Sequence, residues 1–254
     1  MEDLKGQCAV VTGGGSGIGR QTSIKLAEAG ARLAVVDINA QAARETCALL
    51  REQGAMATDF AASTADSGQV HEAFEKIEKE FGKIDILVNN AGVSGNQPAL
   101  DLSDADWRQT MSVNLDGVFY CAREAGRRMR PHGGGKIVNI GSMYSVAAAP
   151  NRISYCASKA AVEMMTRVLA IEWAEYNIRV NAVGPGYVDT ALVRELAQDN
   201  RLNLEALVQR IPQKRLATLD DIAETILFLC EARSAHMTGQ ILVVDGGWTA
   251  YGYV

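Results

Sequence analysis

The chain has 254 residues, 48% of them hydrophobic and 22% charged, which is enough to bury a sizeable core in one large domain. A formal net charge of −5 leaves no basic excess to neutralise a phosphate backbone, so nucleic acid is not expected as a partner. Five scattered cysteines without a C-x-x-C pair, and only three histidines, suggest neither a disulfide framework nor a metal site.

The opening Met-Glu-Asp-Leu-Lys-Gly-Gln runs straight into the apolar stretch Cys8 to Val11, without the layout of a secretory leader. No apolar run approaches the roughly 18 residues needed to cross a bilayer. A soluble cytoplasmic protein with reduced thiols and no membrane partner is expected, and Cys156 reads as a small buried apolar filler. Along the chain, strand-like runs rich in Val and Ile fall at 8–12, 32–37, 55–60, 84–89, 136–142, 178–184 and 240–244. Helical spacing covers 17–30, 40–53, 67–81, 104–129, 154–176 and 219–231. Most of the strands are continuously apolar, as a strand covered on both faces requires. Strand and helix alternate, which predicts an α/β fold: a single-domain, Rossmann-type doubly wound sandwich with a seven-stranded parallel sheet. Ligands of such a sheet gather beyond the carboxyl ends of its strands. Nothing marks a domain boundary. The charged, partly periodic stretch 185–212 suits a mobile substrate-binding lid, with plain surface helix as the alternative.

Directly after the first strand comes Thr12-Gly13-Gly14-Gly15-Ser16-Gly17-Ile18-Gly19, opening into a helix. Glycines allow the backbone to turn sharply and approach a pyrophosphate, and the helix start offers unpaired N–H groups and a partial positive charge. The spacing G-x-x-x-G-x-G, with Gly13, Gly17 and Gly19, is not a P-loop, because Arg20 and Gln21 stand where Lys and Ser or Thr would be needed. Asp37 ends the second strand, where an adenosine ribose would lie. Its carboxylate can accept from both ribose hydroxyls and would repel a 2′-phosphate. Ile38 and Asn39 follow it, and Ser16 occupies the turn position where an arginine could pair that phosphate, so NAD is the expected cofactor. A surface-capping role for Asp37 is the alternative.

The fourth strand ends in Asn89-Asn90-Ala91-Gly92, the fifth in Ser142, and the next helix begins Tyr155-Cys156-Ala157-Ser158-Lys159. With the glycine turn, Asn114 within Met-Ser-Val-Asn-Leu, and Pro185-Gly186, this ordered set resembles the classical short-chain dehydrogenase/reductase family nearly end to end. The resemblance implies that Tyr155 exchanges the alcohol proton as hydride moves, and that Ser142 holds the substrate oxygen. It implies that Lys159 supports the phenol and grips the nicotinamide ribose, and that Asn114 positions a relay water. It also implies cofactor contacts from Ser16, Ile18, Asn90, Gly92, the backbone of Val188 and the hydroxyl of Thr190. Spacing of four places Tyr155 and Lys159 on one helix face, and an ammonium about 5 Å from the phenol is expected to lower its pKa by about two units. Members usually carry Asp and an apolar residue after strand three to hold the adenine. Here Ser63 and Thr64 stand at those positions, and Asp59 falls four residues early.

Substrate-facing candidates follow strands four to six: Ser94 to Pro98, Met143, Tyr144, Asn151, Arg152, Tyr187 and the region 192–212. Ser94, Asn96, Asn151 and Arg152 could read hydroxyl or carboxylate groups, which favours a small polar secondary alcohol of the polyol or sugar-derived kind. A 3-oxoacyl-[acyl-carrier-protein] reductase is the alternative within the enzyme class, and a dinucleotide-sensing protein without turnover is the alternative outside it. Helices rich in Ala, Met and Val, and an aromatic tail from Trp248 onward, together with the habit of relatives, give the expectation of a homotetramer.

Overall fold

The computed structural model describes residues 3–199 and 202–252. Met1 and Glu2 of the opening segment, Asn200 and Arg201 of the suggested lid, and Tyr253 and Val254 of the aromatic tail lie outside the described residues.

Seven strands form one parallel sheet: β1 (Cys8–Thr12), β2 (Arg32–Asp37), β3 (Ala57–Ala61), β4 (Ile86–Asn89), β5 (Gly135–Ile140), β6 (Ile178–Pro185) and β7 (Ile241–Val244). Their order is β3-β2-β1-β4-β5-β6-β7. The chain winds outward in both directions from β1 and β4, so the crevice between their carboxyl ends is the switch point where a ligand fits. The seven-stranded doubly wound sheet is as the sequence predicts.

Side chains alternate across each strand, as the pleat requires. Ala9 and Val11 of β1 face one core, shared with α1 (Gly17–Glu28), α2 (Ala40–Glu52) and α9 (Leu219–Cys230). Cys8 and Val10 face the other, shared with α3 (Ser67–Phe81), α5 (Gly117–Met129) and α6 (Ile153–Glu172). The stretch 104–129, predicted as one helix, is α4 (Asp104–Met111), a π turn (Ser112–Asp116) and α5. The suggested lid holds two short helices, α7 (Ala191–Gln198) and α8 (Leu204–Arg210), after the end of β6. No helix among the described residues is long and apolar enough to cross a membrane.

Below the carboxyl ends of the strands, a row of buried amides locks the middle of the sheet. Asn89 pairs in register with Thr12 and Asn139, and its Nδ2 donates to Asn139 Oδ1 at 2.9 Å. Asn139 Nδ2 in turn donates to Thr166 Oγ1 of α6 at 2.9 Å. Helix α6, which carries Tyr155 and Lys159, is thereby tied to the strand that delivers Ser142.

Candidate active site

One cavity of about 1150 Å³ runs along the carboxyl ends of the strands, from the glycine turn to α7. Its nucleotide end is shaped mainly by backbone. Gly13 adopts φ +61, and a Cβ there would come within 2.9 Å of Ala91 Cα. A Cβ on Gly19 would sit 2.2 Å from the Gly13 carbonyl oxygen, so this glycine keeps the start of α1 pressed against the turn. Gly19 lies behind the cavity wall, whereas Gly13, Ser16, Gly17 and Ile18 border the cavity. Helix α1 starts at Ser16 without a side-chain cap, so its first N–H groups face the turn unclaimed by protein side chains.

Asn90 stabilises this crevice from β4. Its Nδ2 donates to Thr12 O at 3.1 Å and Gly13 O at 3.0 Å, while Thr12 Oγ1 accepts from the Asn90 and Ala91 amides. The expected cofactor contact therefore belongs to a residue whose amide donors hold the turn. Asp37 is fixed in a similar way, with Oδ2 accepting from Gly15 N at 2.9 Å and Oδ1 from Asn39 N at 2.8 Å. Arg20, a cation on the same wall that the sequence reading passed over, donates to Gly15 O and Thr46 Oγ1 and lies 3.7 Å from Glu45. Ser63 and Thr64 border the cavity, and Asp59 lies within β3, 4.0 Å from Arg51.

At the other end, β5 stops at Ile140, two residues before Ser142, because Ser142 caps the following 3-10 turn and accepts from Tyr144 N at 3.1 Å. Tyr155 and Lys159 sit one turn apart on α6 and border the cavity with Ser142. Lys159 is buried, with Nζ 5.8 Å from the Tyr155 ring centre and donating to Ile140 O at 2.7 Å. Burial pushes the lysine down to about 8. The phenol does not follow the sequence expectation. Burial pushes Tyr155 above its usual pKa, against smaller downward pulls from the Ser142 hydroxyl and the Arg152 guanidinium. Desolvation outweighs the nearby charge because the ammonium is itself directed at a carbonyl and pressed toward neutrality by the same apolar surroundings.

Asn114 is fully buried and lies one layer behind the wall. Its Oδ1 accepts from Val93 N at 2.8 Å, and its Nδ2 donates to Val93 O at 2.9 Å and Ser158 Oγ at 3.2 Å. Gly92 separates it from Lys159: a Cβ at Gly92 would come 3.3 Å from Asn114 Oδ1 and 3.6 Å from Lys159 Nζ. The π turn that carries Asn114 shifts the hydrogen-bond ladder and turns this amide inward, a device common at functional sites.

The substrate end is aromatic and polar. Tyr144 and Tyr187 share a 2.8 Å hydrogen bond between their hydroxyls, and Trp248 packs on Tyr187 with ring centres 5.4 Å apart. Arg152 lies over the Tyr144 ring at 5.5 Å. Ser94, Asn96, Met143, Tyr144, Arg152 and Tyr187 all border the cavity, while Asn151 does not. With φ +63, Asn151 is exposed and points its neighbour inward in its place. Val188 and Thr190 border the cavity, and Thr190 Oγ1 accepts from Val193 N at 3.3 Å as the cap of α7, leaving its O–H free to donate. Sequence reasoning missed Gln109 and Val113, because nothing local marks which side of a helix meets a distant loop, while Val193, Arg194, Glu195 and Gln198 of α7 border the cavity within the stretch expected to face substrate.

A crevice of this shape at the switch point, ending on a tyrosine and a lysine one helical turn apart, defines a nicotinamide-dinucleotide-dependent oxidoreductase. Residues 13–249 match the family described as Enoyl-(Acyl carrier protein) reductase. The chain belongs to the short-chain dehydrogenase/reductase family, and its dehydrogenase relatives support an oxidoreductase acting on CH–OH groups. It is 41% identical to D-threitol dehydrogenase of Mycolicibacterium smegmatis over 246 residues, covering 97% of this chain and 94% of that one. It is also 41% identical to galactitol 2-dehydrogenase (L-tagatose-forming) of Cereibacter sphaeroides over 254 residues, covering 98% and 97%. A gluconate 5-dehydrogenase from Burkholderia cenocepacia, solved in complex with NADP and tartrate, superposes with a TM-score of 0.93 at 39% identity, covering 98% of each chain.

Proposed function

We propose that this protein is an NAD-dependent dehydrogenase that interconverts a small polar secondary alcohol, of the polyol or sugar-derived kind, and its ketone. The observation that carries this reading is the continuity of one cavity from the glycine turn and the Asp37 carboxylate to Ser142, Tyr155 and Lys159. The bound nicotinamide would accept or supply the hydride. Gly13, Ser16, Gly17 and Ile18 would hold the pyrophosphate, Asp37 the adenosine ribose, and Val188 and Thr190 the carboxamide edge.

Ser142 places its hydroxyl beside the Tyr155 phenol and would hydrogen-bond the substrate oxygen. Tyr155, kept neutral in the free protein by burial, acts as the proton donor for carbonyl reduction. In alcohol oxidation it accepts the proton once charge develops beside it. Lys159 would steady the resulting phenolate by its charge. The space left by Gly92 between Asn114 Oδ1 and Lys159 Nζ suits a water that carries the proton outward.

Three observations support the finer parts. The Asp37 carboxylate borders the cavity beside the glycine turn, and Arg20 is held by Thr46 and Glu45, which supports NAD over NADP. Ser94, Asn96 and Arg152 give the substrate end polar groups, in line with relatives named for threitol and galactitol. Exposed Met164, Val168 and Ile171 on α6 and Phe119 on α5 support a homotetramer. The five unpaired cysteines accord with a cytoplasmic location.

The test offers NAD and NADP separately with polyols, hydroxy acids and ketones, following absorbance of the reduced cofactor. Turnover with NAD on small polyhydroxy compounds is expected, and activity confined to long acyl thioesters or steroids would overturn the proposal. Light scattering at micromolar protein should give four chains, and a monomer would refute that part.

A further inference from the structure

The substrate end of the cavity holds an arginine that no acidic group among the described residues pairs with. Of the three arginines on the cavity wall, Arg20 is held by Gly15, Thr46 and Glu45, and Arg194 forms a two-pronged ion pair with Asp189. Arg152 has neither a hydrogen bond nor an ion pair among the described residues, only the face of the Tyr144 ring at 5.5 Å. It is half-buried and stands three residues before Tyr155, and its charge reaches both pocket phenols, favouring ionisation of Tyr155 and Tyr144 alike.

Its place in the chain is unfavourable on local grounds. Arg152 is the cap residue of α6, where a side chain that accepts hydrogen bonds is preferred and a cation meets the positive end of the helix. A guanidinium fork stacked on an aromatic ring is, however, suited to gripping a planar carboxylate with two hydrogen bonds. Tyr144 fixes one face of the fork and is itself fixed by the hydroxyl of Tyr187. The fork is therefore pre-oriented before any ligand arrives, which lowers the entropy lost on binding.

We propose that Arg152 anchors a substrate carboxylate, so that the preferred alcohol is a short-chain polyhydroxy acid of the aldonate type, ahead of the neutral polyol of the same length. This rests on the dehydrogenase reading above and sharpens its substrate class. Clamping the acid end would also set which carbinol carbon reaches Tyr155 and Ser142, since a chain held at one end presents its carbons in fixed register.

The experiment pairs four- to six-carbon alditols with aldonates of matching configuration, using NAD and the wild-type, Arg152→Gln and Arg152→Lys proteins. Wild-type kcat/KM should favour the aldonates at least about tenfold. Arg152→Gln should raise the aldonate KM about 10- to 100-fold, the range for losing a half-exposed charge pair, and at least about fivefold more than it raises the alditol KM. Arg152→Lys should recover part of the loss. A wild-type preference for alditols, or an equal fall on both substrate classes, overturns the assignment.

Aldonate titration into the enzyme–NADH complex, read by nicotinamide fluorescence, gives a measure independent of turnover. If neither class is oxidised, the dehydrogenase reading of the substrate fails while this titration still decides the anchor. Weaker aldonate binding in Arg152→Gln supports the anchor, and unchanged binding refutes it. Should Arg152→Gln not fold, the wild-type aldonate-over-alditol ratios in turnover and in binding decide.

Discussion

Replacing Lys159 with methionine separates the cost of burying an ammonium from its use in the site. Burial lowers this lysine from 10.5 to about 8. At 1.36 kcal/mol per tenfold, that displacement corresponds to at most about 3 kcal/mol of folding free energy. Below pH 8 both the folded and the unfolded chain carry the proton, and the whole cost is felt. Between pH 8 and 10.5 the unfolded chain keeps a proton that the folded protein has released, so wild-type stability rises with pH across that window. Methionine has no proton to lose, and it also leaves the Ile140 carbonyl, now held by Nζ at 2.7 Å, without a partner, at a cost of about 1–3 kcal/mol. At pH 7 the two effects oppose each other, and Lys159→Met should fall within about 2 kcal/mol of wild type. By pH 10 wild type should have gained about 2.5 kcal/mol on the variant. Urea denaturation at pH 7, 8, 9 and 10, followed by the fluorescence of the three tryptophans, measures this difference, because every other titrating group is common to both proteins. Turnover by the variant should fall at least about 100-fold. A wild-type-minus-variant difference that stays flat from pH 7 to 10 would refute Lys159 as a buried cation poised to ionise.

Asp37→Asn keeps an acceptor for the Gly15 amide but removes the charge, so kcat/KM discrimination between NAD and NADP should drop at least about tenfold with little change in melting temperature. Gly19→Ala would place a methyl 2.2 Å from the Gly13 carbonyl, and dinucleotide affinity by fluorescence titration should weaken at least about tenfold because the turn must open. Arg128→Ala removes the side chain that donates to buried Glu124 at 2.6 Å and to Glu78 at 3.1 Å, joining α5 to α3. Burial pushes Glu124 up, and hydrogen bonds from His71 and Arg128 more than offset this, so the pair stabilises the fold above the usual carboxylate range and weakens as acid titrates it. The variant should lose about 3 kcal/mol in urea at pH 7, and the deficit should shrink toward pH 3.

What could be read from the sequence was what neighbouring residues determine together. All seven strands were located, most of them as short apolar runs rich in Val and Ile between helical stretches, and the turn from Thr12 to Gly19 announced itself by spacing. The π turn at 112–116 was not legible, since a slip of the hydrogen-bond ladder leaves no mark on apolar spacing, and it is this slip that turns Asn114 toward Val93. Between Asn151 and Arg152 the sequence could not choose. A left-handed residue at φ +63 decides which of two adjacent polar side chains reaches the cavity. The direction of the Tyr155 shift was misjudged because distance to Lys159 could be guessed from spacing, whereas burial depends on loops that arrive from elsewhere in the chain.

The helix starts divide in a way that ties fold to chemistry. Helices α2, α3, α4, α7, α8 and α9 begin at Asn39, Asp66, Ser103, Thr190, Asn203 and Thr218, each accepting hydrogen bonds from the first turn. Helix α5 continues from the π turn and needs no cap. The remaining two, α1 and α6, start at Ser16 and Arg152 with no side-chain acceptor, and both residues border the same cavity. A missing cap typically costs about 1 kcal/mol, and a chain that supplies caps at six helices shows no general tolerance for their loss. The two exceptions coincide with the two ends of the site. At α1 the unclaimed amides face the glycine turn, where a pyrophosphate would complete them; at α6 a guanidinium sits over the positive end of the helix, where only an anionic group would relieve it. Both starts lack the side-chain cap found at the six other helices, and under the proposals above a bound anion would supply the missing partner at each.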